Sequence, residues 1–248
     1  MDKPLKKCPL GIQTFEKVIE EDLLYVDKTQ YIYSLVQNYK YVFFNRPRRF
    51  GKSLLVSTLR SYFAGKKELF KGLAIDSLEK EWAEYPVFHL DFNGVNFTDL
   101  GALEETIQNF LDDSEKKYGI KSEKKQFGLR FYDILEAAHD KTGKRAVVLV
   151  DEYDKPLLDV INTDKVVQVT EGNAVTIEDN NREILKGFYS VFKLADKHLQ
   201  FVLLTGVTKF SQVSVFSGFN QPNDISYDSR YDALCGISQD ELLMVFKD

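Results

Sequence analysis

The stretch Tyr41-Val-Phe-Phe-Asn-Arg-Pro-Arg-Arg-Phe-Gly-Lys-Ser53 organises the interpretation of the whole chain. It opens with an unbroken apolar and aromatic run, which is typical of a strand buried on both faces of a parallel sheet. A short basic loop follows and ends in Gly51-Lys52-Ser53, and residues 54–64 then show the spacing of an amphipathic helix. The order of strand, Gly-Lys-Ser and helix is the layout of a phosphate-binding loop.

The loop departs from the usual G-x-x-x-x-G-K-[ST] pattern at its first position, where Arg46 replaces glycine. Because arginine does not readily adopt a positive φ angle, we expect the loop to enter along a different path, stiffened by Pro47. Arg46, Arg48 and Arg49 add three cations, which can contact phosphate, carboxylates or solvent. The alternative interpretation of the stretch is a basic surface turn followed by an ordinary helix.

The residue types of this loop suit a nucleoside triphosphate with Mg²⁺. Gly51 allows close approach of the backbone, Lys52 can reach the β and γ phosphates, and the Ser53 hydroxyl can ligate the metal. The residues predicted to bind the nucleotide are Arg46, Pro47, Arg48, Arg49, Phe50, Gly51, Lys52, Ser53 and Leu54.

A second pattern, Val147-Val-Leu-Val-Asp151-Glu152, places two carboxylates directly after an apolar strand. This is the Walker B pattern: Asp151 is predicted to hold the Mg²⁺ shell, and Glu152 to orient and deprotonate the attacking water. The structural alternative is a helix cap or a loop charge, but a phosphate loop upstream makes the joint pattern more specific. Asp154 is a third carboxylate within reach, and its role stays open.

A third pattern, Leu203-Leu-Thr205-Gly206, ends another apolar strand with a polar residue. Thr205 is predicted to sense the γ-phosphate or to align the water. Lys209 can reach the same place from the following loop. A plain strand-to-loop turn is the alternative for both residues.

Several further polar residues have open roles. His89 and Asp91 end another strand and are interpreted first as hydrogen-bonded scaffold rather than as catalysts. Arg182 and Arg230 fit either arginine fingers or surface salt bridges. The segment 27–29, Asp-Lys-Thr, predicts a helix start, with an arm beside a nucleotide base as the alternative.

The apolar periodicity along the chain predicts alternating strands and helices. Strands are expected at residues 23–26, 41–44, 87–92, 145–150 and 198–204. Helices are expected at residues 28–37, 53–64, 68–70, 77–84, 100–117, 129–139, 178–197 and 238–246. A β-hairpin at 165–177 is expected as a surface insertion. This alternation predicts an α/β fold with a mainly parallel sheet and helices on both faces, and ligands bind such sheets at the carboxyl ends of the strands.

Composition limits the classes of function. The chain has 248 residues, of which 44% are hydrophobic, and its net charge of −5 gives no support to nucleic-acid binding. Two distant cysteines and three scattered histidines predict neither a disulfide framework nor a histidine-based metal site, which fits a reducing, cytoplasmic location. No apolar run resembles a signal peptide or reaches the roughly 18 residues of a membrane span, so no membrane partner is expected.

Five stretches together resemble the bacterial AAA-ATPase-like domain, and the resemblance covers nearly the whole chain. The stretches are Tyr25-Val-Asp-Lys-Thr29, Asn45-Arg-Pro-Arg-Arg-Phe-Gly-Lys-Ser-Leu54, Val150-Asp-Glu-Tyr-Asp-Lys-Pro156, Thr205-Gly-Val-Thr-Lys-Phe210 and Val215-Phe-Ser-Gly-Phe-Asn220. The resemblance implies a three-layer P-loop NTPase fold of the ASCE type, in which arginine at the first glycine position is typical. The expected hairpin at 165–177 departs from the family pattern.

The same resemblance implies roles for individual residues. Lys52 and Ser53 would bind nucleotide phosphate and Mg²⁺, Asp151 would support the metal, and Glu152 would be the catalytic carboxylate. Residues 1–38 are expected to form an arm packed on a core of residues 39–248. Members of the family often continue into a C-terminal PD-(D/E)XK nuclease-like domain that is not seen here, so we expect the chain to be truncated at its C-terminus.

The leading hypothesis is Mg²⁺-dependent ATP binding and hydrolysis, coupled to a conformational change in a protein partner or in a C-terminal domain. One alternative is an ATP-binding switch with negligible turnover on its own. Another is a nucleic-acid-processing accessory module whose basic loop contacts DNA, which the net charge disfavours. ATP is expected rather than GTP because no guanine-reading Asn/Thr-Lys-x-Asp motif follows a strand. The oligomeric state stays open.

Overall fold

The computed structural model of the chain describes residues 6–170, 173–208 and 222–245, without the side chains of residues 169, 170 and 173. The predictions for Lys209 and for the family-like stretch at 215–220 lie outside these residues. Within the described ranges, no helix is both long and apolar enough to cross a lipid bilayer.

The core is a five-stranded parallel sheet with strand order β2-β3-β6-β1-β7. Its strands are β1 (Tyr41–Asn45), β2 (Val87–Asp91), β3 (Ala146–Asp151), β6 (Leu199–Gly206) and β7 (Asn223–Asp224). A separate antiparallel hairpin consists of β4 (Val166–Thr170) and β5 (Asn173–Thr176). The predicted parallel α/β fold and the predicted hairpin are therefore both confirmed.

Helices cover both faces of the sheet. Their bounds are α1 (Phe15–Glu20), α2 (Thr29–Asn38), α3 (Lys52–Phe63), α4 (Ala74–Leu78), α5 (Ala102–Tyr118), α6 (Phe127–Thr142), α7 (Lys155–Leu158), α8 (Ile177–Tyr189), α9 (Val191–Leu194) and α10 (Gln239–Val245). Short 3₁₀ turns occur at Lys67–Phe70, Asp196–His198 and Ser229–Tyr231.

The apolar runs are buried because successive strand residues point into two different cores. Phe43 and Val148 pack with α5, α6 and α8 on one face. Val42 and Val147 pack with α1, α2 and α3 on the other face. Full burial of a side chain of this size contributes about 1.5–3 kcal/mol, so this two-sided core explains why the runs lack polar alternation. The predicted three layers are present.

Three local predictions were wrong. Residues 23–26 form no strand, and Tyr25 packs edge-on against Phe15 at a ring distance of 5.2 Å instead of joining the sheet. The helix expected at 77–84 lies at Ala74–Leu78, where Asp27 and Thr29 accept hydrogen bonds from its first backbone N–H groups. The long helix expected at 178–197 is interrupted at Ser190, whose hydroxyl donates to the Gly187 carbonyl and competes with the helical ladder.

The N-terminal segment packs against the helix that follows the basic loop. The short helix α1 was not predicted, and its first residue, Phe15, donates a backbone hydrogen bond to Ser57 of α3 at 2.9 Å. Glu16 adds ion pairs to Arg60 and Lys66 at 3.4 and 3.2 Å. These contacts attach the segment to α3.

Candidate functional site

Three of the sequence patterns meet at one edge of the sheet. β6 lies between β1 and β3, and the register aligns Asn45 with Gly206 and Val150 with Leu204. Because the strands are parallel, their carboxyl ends lie at the same edge. The basic loop, the Asp-Glu pair and the Thr-Gly pair are therefore neighbours.

The basic loop bends at two residues. Gly51 has φ 92° directly before α3, and no atom lies within 4 Å of the position a Cβ would take there. Arg49 has φ 68°, which is unusual for a residue with a side chain. Arg46 does not take a positive φ, so the bend that glycine allows at the start of the usual loop is made later here. The open space at Gly51 lets backbone approach a ligand closely.

The ammonium group of Lys52 connects the loop to β3. Lys52 is buried, and its Nζ lies 3.4 Å from Glu152 Oε1. The same nitrogen donates to the carbonyl oxygens of Arg46 and Pro47 at 3.0 and 3.3 Å. A buried cation is therefore held inside the loop at the N-terminus of a 12-residue helix, which is an arrangement that favours phosphate.

Asp151 and Thr205 form a buried pair behind this lysine. The Thr205 hydroxyl donates to Asp151 Oδ1 at 2.5 Å, and both residues are almost fully buried. The backbone N–H of Glu152 donates to the same oxygen at 3.1 Å. The structure thus turns the Thr205 hydroxyl toward Asp151, where it orients that carboxylate.

Glu152 has an unusual backbone conformation and an altered acidity. Its φ of 55° lies in the left-handed region, which costs on the order of 1–3 kcal/mol for a residue with a side chain. Burial, together with the charges of Asp151 and Asp154, raises the pKa of the Glu152 carboxyl, and Lys52 opposes that rise. A carboxylate with a raised pKa is a stronger base, as proton abstraction requires.

The three arginines of the loop do not behave alike. The Arg46 guanidinium donates to the Ser226 carbonyl at 2.5 Å and lies 3.9 Å from Asp232. The Arg46 side chain therefore faces residues 226–232. Arg48 and Arg49 are exposed and form no ion pair within the described residues. Neither guanidinium is therefore held by a carboxylate of the described residues.

The rest of the predicted nucleotide-binding set lies around the same loop. The Ser53 hydroxyl has no hydrogen-bond partner in the part of the chain that the structure describes, and Leu54 is half-buried in α3. Phe50 is 47% exposed, and its carbonyl accepts a hydrogen bond from Gly236 N–H at 2.9 Å. Pro47 lies on the exposed part of the loop.

Two of the other polar candidates have local structural partners. Asp91 accepts hydrogen bonds from Asn93 in the turn after β2. For the neighbouring His89, burial lowers the pKa of the imidazole below its usual value. Arg182 pairs with Glu178 in α8.

Arg230 pairs with Asp228 and donates to the Tyr39 hydroxyl. The segment 27–29 starts α2, since Asp27 Oδ1 accepts hydrogen bonds from the Thr29 backbone and hydroxyl.

Sequence reasoning missed three groups of contacts around the site. Asp154 binds the turn after β6, Lys28 forms a partly buried ion pair with Glu241 of α10, and residues 226–236 hold the basic loop. Of these, only the α10 start had a local signal: Ser238 and Glu241 form a reciprocal capping box.

Two of the three histidines meet away from the site. His139 Nδ1 and His198 Nδ1 are 3.0 Å apart at the opposite edge of the sheet. Within the described ranges, no group of three or more His, Cys, Asp or Glu residues is arranged to hold a metal ion. A Mg²⁺ ion at the candidate site would depend on hydroxyl, phosphate and water oxygens as well as carboxylate, which is its usual manner of binding.

The parallel sheet, with a Gly-Lys-Ser loop after one central strand and an Asp-Glu pair ending another, defines a P-loop NTPase-like protein. The profile of the family described as "Predicted AAA-ATPase" matches residues 9–216. The chain therefore belongs to the predicted AAA-ATPase family, as the resemblance indicated. Membership of this family indicates nucleotide binding or hydrolysis.

A curated relative is the uncharacterized protein in the vnfD 5′ region of Azotobacter chroococcum mcd 1, which is 42% identical over 243 residues. The alignment covers 97% of this chain and 45% of the relative, so the chain spans less than half of that protein's length. No solved structure matches the chain.

Proposed function

We propose that the chain binds ATP with Mg²⁺ and hydrolyses the terminal phosphoanhydride bond. The observation that carries this proposal is the 3.4 Å approach of Lys52 Nζ to Glu152 Oε1, which joins the basic loop to the end of β3. A cation suited to phosphate and a base suited to water thus lie side by side. A buried ion pair contributes little to stability by itself, so a functional reason for this pair is favoured.

Each residue of the site has a role in this proposal. Lys52 binds the β and γ phosphates, and the open hydroxyl of Ser53 and the carboxylate of Asp151 hold the metal. Glu152 takes the proton of the attacking water. Thr205 keeps Asp151 oriented through its 2.5 Å hydrogen bond. ATP and Mg²⁺, when bound, supply the reactive bond and the positive charge that stabilises its oxygens.

The basic loop offers a route by which occupancy affects the rest of the molecule. Arg46 and Phe50 are hydrogen-bonded to Ser226 and Gly236. A change in the loop on nucleotide binding would therefore act directly on the segment that contains Ser226 and Gly236. We infer that a protein partner or a further domain, such as the nuclease-like domain implied by the resemblance, responds to that change.

Two variants test the chemistry. Lys52→Ala should abolish measurable ATP binding, because it removes the buried cation of the loop. Glu152→Gln should bind ATP with nearly unchanged Kd while phosphate release falls about 10²–10⁴-fold, since only the proton acceptor is lost. Binding is measured by calorimetry, and phosphate release is measured with Mg²⁺ and again after chelation.

The matched control is Glu136→Gln, a half-buried glutamate on α6 that lies 3.5 Å from His198 at the opposite edge of the sheet, and it should leave both measurements unchanged. Equal phosphate release from the wild type and from Glu152→Gln would remove Glu152 from the catalytic role. Unchanged binding in Lys52→Ala would refute the site.

An ATP-binding switch with slow turnover is the second candidate. It is favoured because Arg182 and Arg230, the arginines considered as fingers, are both held in local ion pairs. A finger supplied by another subunit raises turnover about 10³–10⁵-fold. Turnover per molecule that rises with protein concentration would indicate such a finger. Tight binding with negligible turnover at every concentration would favour the switch.

A further inference from the structure

A buried carboxylate close to the site has no place in the chemistry described so far. Asp154 is 0% exposed and forms no ion pair within the described residues. Its Oδ2 accepts three hydrogen bonds, from the backbone of Val207 at 3.0 Å, from the backbone of Thr208 at 2.7 Å and from the Thr208 hydroxyl at 2.9 Å. A carboxylate is costly to bury, and three donors on one of its oxygens offset part of that cost.

The neighbouring tyrosine binds the same turn. Tyr153 is fully buried, its backbone N–H donates to the Thr205 carbonyl at 2.9 Å, and its hydroxyl donates to the Thr208 carbonyl at 2.6 Å. With the bond between Asp151 and Thr205, the turn at 151–154 is joined to the turn at 205–208 along its whole length.

Gly206 makes this close contact possible. A Cβ atom at this position would lie 2.4 Å from Tyr153 Cε1 and 2.8 Å from Asp154 Oδ1. Both distances are far inside van der Waals contact. Only glycine leaves enough space at this position. The backbone of Gly206 lies directly against the side chains of Tyr153 and Asp154.

Glu152 lies in the middle of the joined turn. Its backbone has the left-handed φ of 55°, which a glutamate does not adopt without constraint. The residues on either side, Asp151 and Tyr153, are both bound to Thr205. This attachment fixes the direction of the Glu152 side chain, which ends 3.4 Å from Lys52.

We propose that Asp154 is a positioning residue for this site: it fastens the turn after β3 to the turn after β6 and so holds Glu152 in its strained, productive conformation. The proposal rests on the proposed function insofar as Glu152 is the base. The rival explanation is that Asp154 only stabilises the fold. The backbone carbonyl of Asp154 also accepts hydrogen bonds at the start of α7. A positioning role and a structural role differ in which kinetic constant changes.

The central variant is Asp154→Asn, which keeps the shape of the side chain. It should lower kcat about 10–100-fold, the range expected for a misplaced catalytic group, while the Kd for ATP stays within about threefold. Thr208→Val, which removes one of the three donors, should lower kcat in the same way, and Thr208→Ser should restore it. The matched control is Asp159→Asn, a partly buried carboxylate directly after α7 that pairs with Lys155, and it should leave kcat unchanged.

Hydrogen exchange of the ligand-free protein tests the positioning without turnover. Peptides covering 151–154 and 205–208 should exchange faster in Asp154→Asn and in Thr208→Val, and at the wild-type rate in Asp159→Asn. If Asp154→Asn does not fold, Thr208→Val carries both measurements.

The outcomes separate the two proposals. A wild-type protein that binds ATP without releasing phosphate at any protein concentration refutes hydrolysis, and the exchange result then decides the positioning role alone. Normal kcat in both Asp154→Asn and Thr208→Val, with phosphate release intact in the wild type, would overturn the positioning role and leave the ATPase. Unchanged exchange in both variants would overturn it as well.

Discussion

The basic loop after β1 and the two turns after β3 and β6 meet at one edge of the sheet, yet they are built in opposite ways. Residues 47–51 of the loop are exposed. The turns at 151–154 and 205–208 are joined by hydrogen bonds, and Asp151, Tyr153, Asp154, Thr205 and Gly206 are buried. The carbonyl oxygens of Pro47 and Phe50 in the loop each accept one hydrogen bond, whereas the turns cannot move without breaking several hydrogen bonds.

This difference suits a division of labour between binding and chemistry. Phosphate is bound by charge and by backbone N–H groups, which tolerate small displacements. Proton abstraction needs the base within a hydrogen bond of the water, so its position must be fixed before the substrate arrives. In the proposed hydrolysis, the rigid pair of turns would supply that position, and the exposed loop would supply the affinity.

The largest effect should come from forcing the rigid turns apart. Gly206→Ala places a Cβ 2.4 Å from Tyr153 Cε1, so the free energy of unfolding should fall by about 1–3 kcal/mol. Phosphate release should fall with it. Urea denaturation measures the first quantity, and a steady-state assay measures the second.

The control for this change is Gly187→Ala in α8, where nothing lies within 4 Å of the new Cβ. That variant should gain about 0.5–1 kcal/mol because alanine favours a helix over glycine. A Gly206→Ala protein as stable as the wild type would mean that the two turns separate without cost.

The next effect is the dependence of kcat on pH. In the proposed hydrolysis Glu152 must be ionised to accept a proton, and burial raises its pKa above the usual 4.5. At pH values below the raised pKa, kcat should fall about tenfold per pH unit, so the acid limb should lie above pH 4.5. Measuring kcat at saturating ATP across this range checks the sign. A limb at or below the usual value would contradict the buried, charge-crowded site.

The smallest effect should distinguish the arginines of the exposed loop. Arg46→Gln removes the contacts to Ser226 and Asp232 and should cost about 1 kcal/mol of unfolding free energy. Arg48→Gln should change stability by no more than about 0.5 kcal/mol, because Arg48 has no ion pair among the described residues, but it should weaken ATP binding. Equal effects of the two variants on stability would remove the distinction between an anchored and a free arginine.

Much of the fold was predictable because its signals are local. The buried strands appear as apolar runs, and the long helices α5 and α6 appear as periodic patterns close to their true bounds. The strand prediction for residues 23–26 was wrong because a four-residue apolar stretch does not specify its packing partner. Here Tyr25 packs on Phe15. The two-residue strand β7 is too short for any pattern.

The candidate site was predictable in its residue types but not in its contacts. The residues within each motif, Gly-Lys-Ser and Asp-Glu, are consecutive in the chain. Each motif is therefore visible in the sequence itself. The partners of Arg46 lie about 180 positions away in the chain, and only folding brings them together. The same holds for Thr205, whose hydroxyl faces Asp151 because β3 and β6 are neighbours, a pairing that the order of strands along the chain does not specify.

The position of β1 in the sheet also has a consequence for biosynthesis. β1 is the first strand of the chain, yet its neighbours are β6 and β7, which are the last described strands to be made. Until residue 206 has left the ribosome, the apolar strand Tyr41–Asn45 has no partner on either edge, and unpaired strand edges are prone to aggregate. The basic loop is therefore translated early, but the strands that flank β1 are translated late. The nascent chain cannot form the complete candidate site before most of the domain has been synthesised.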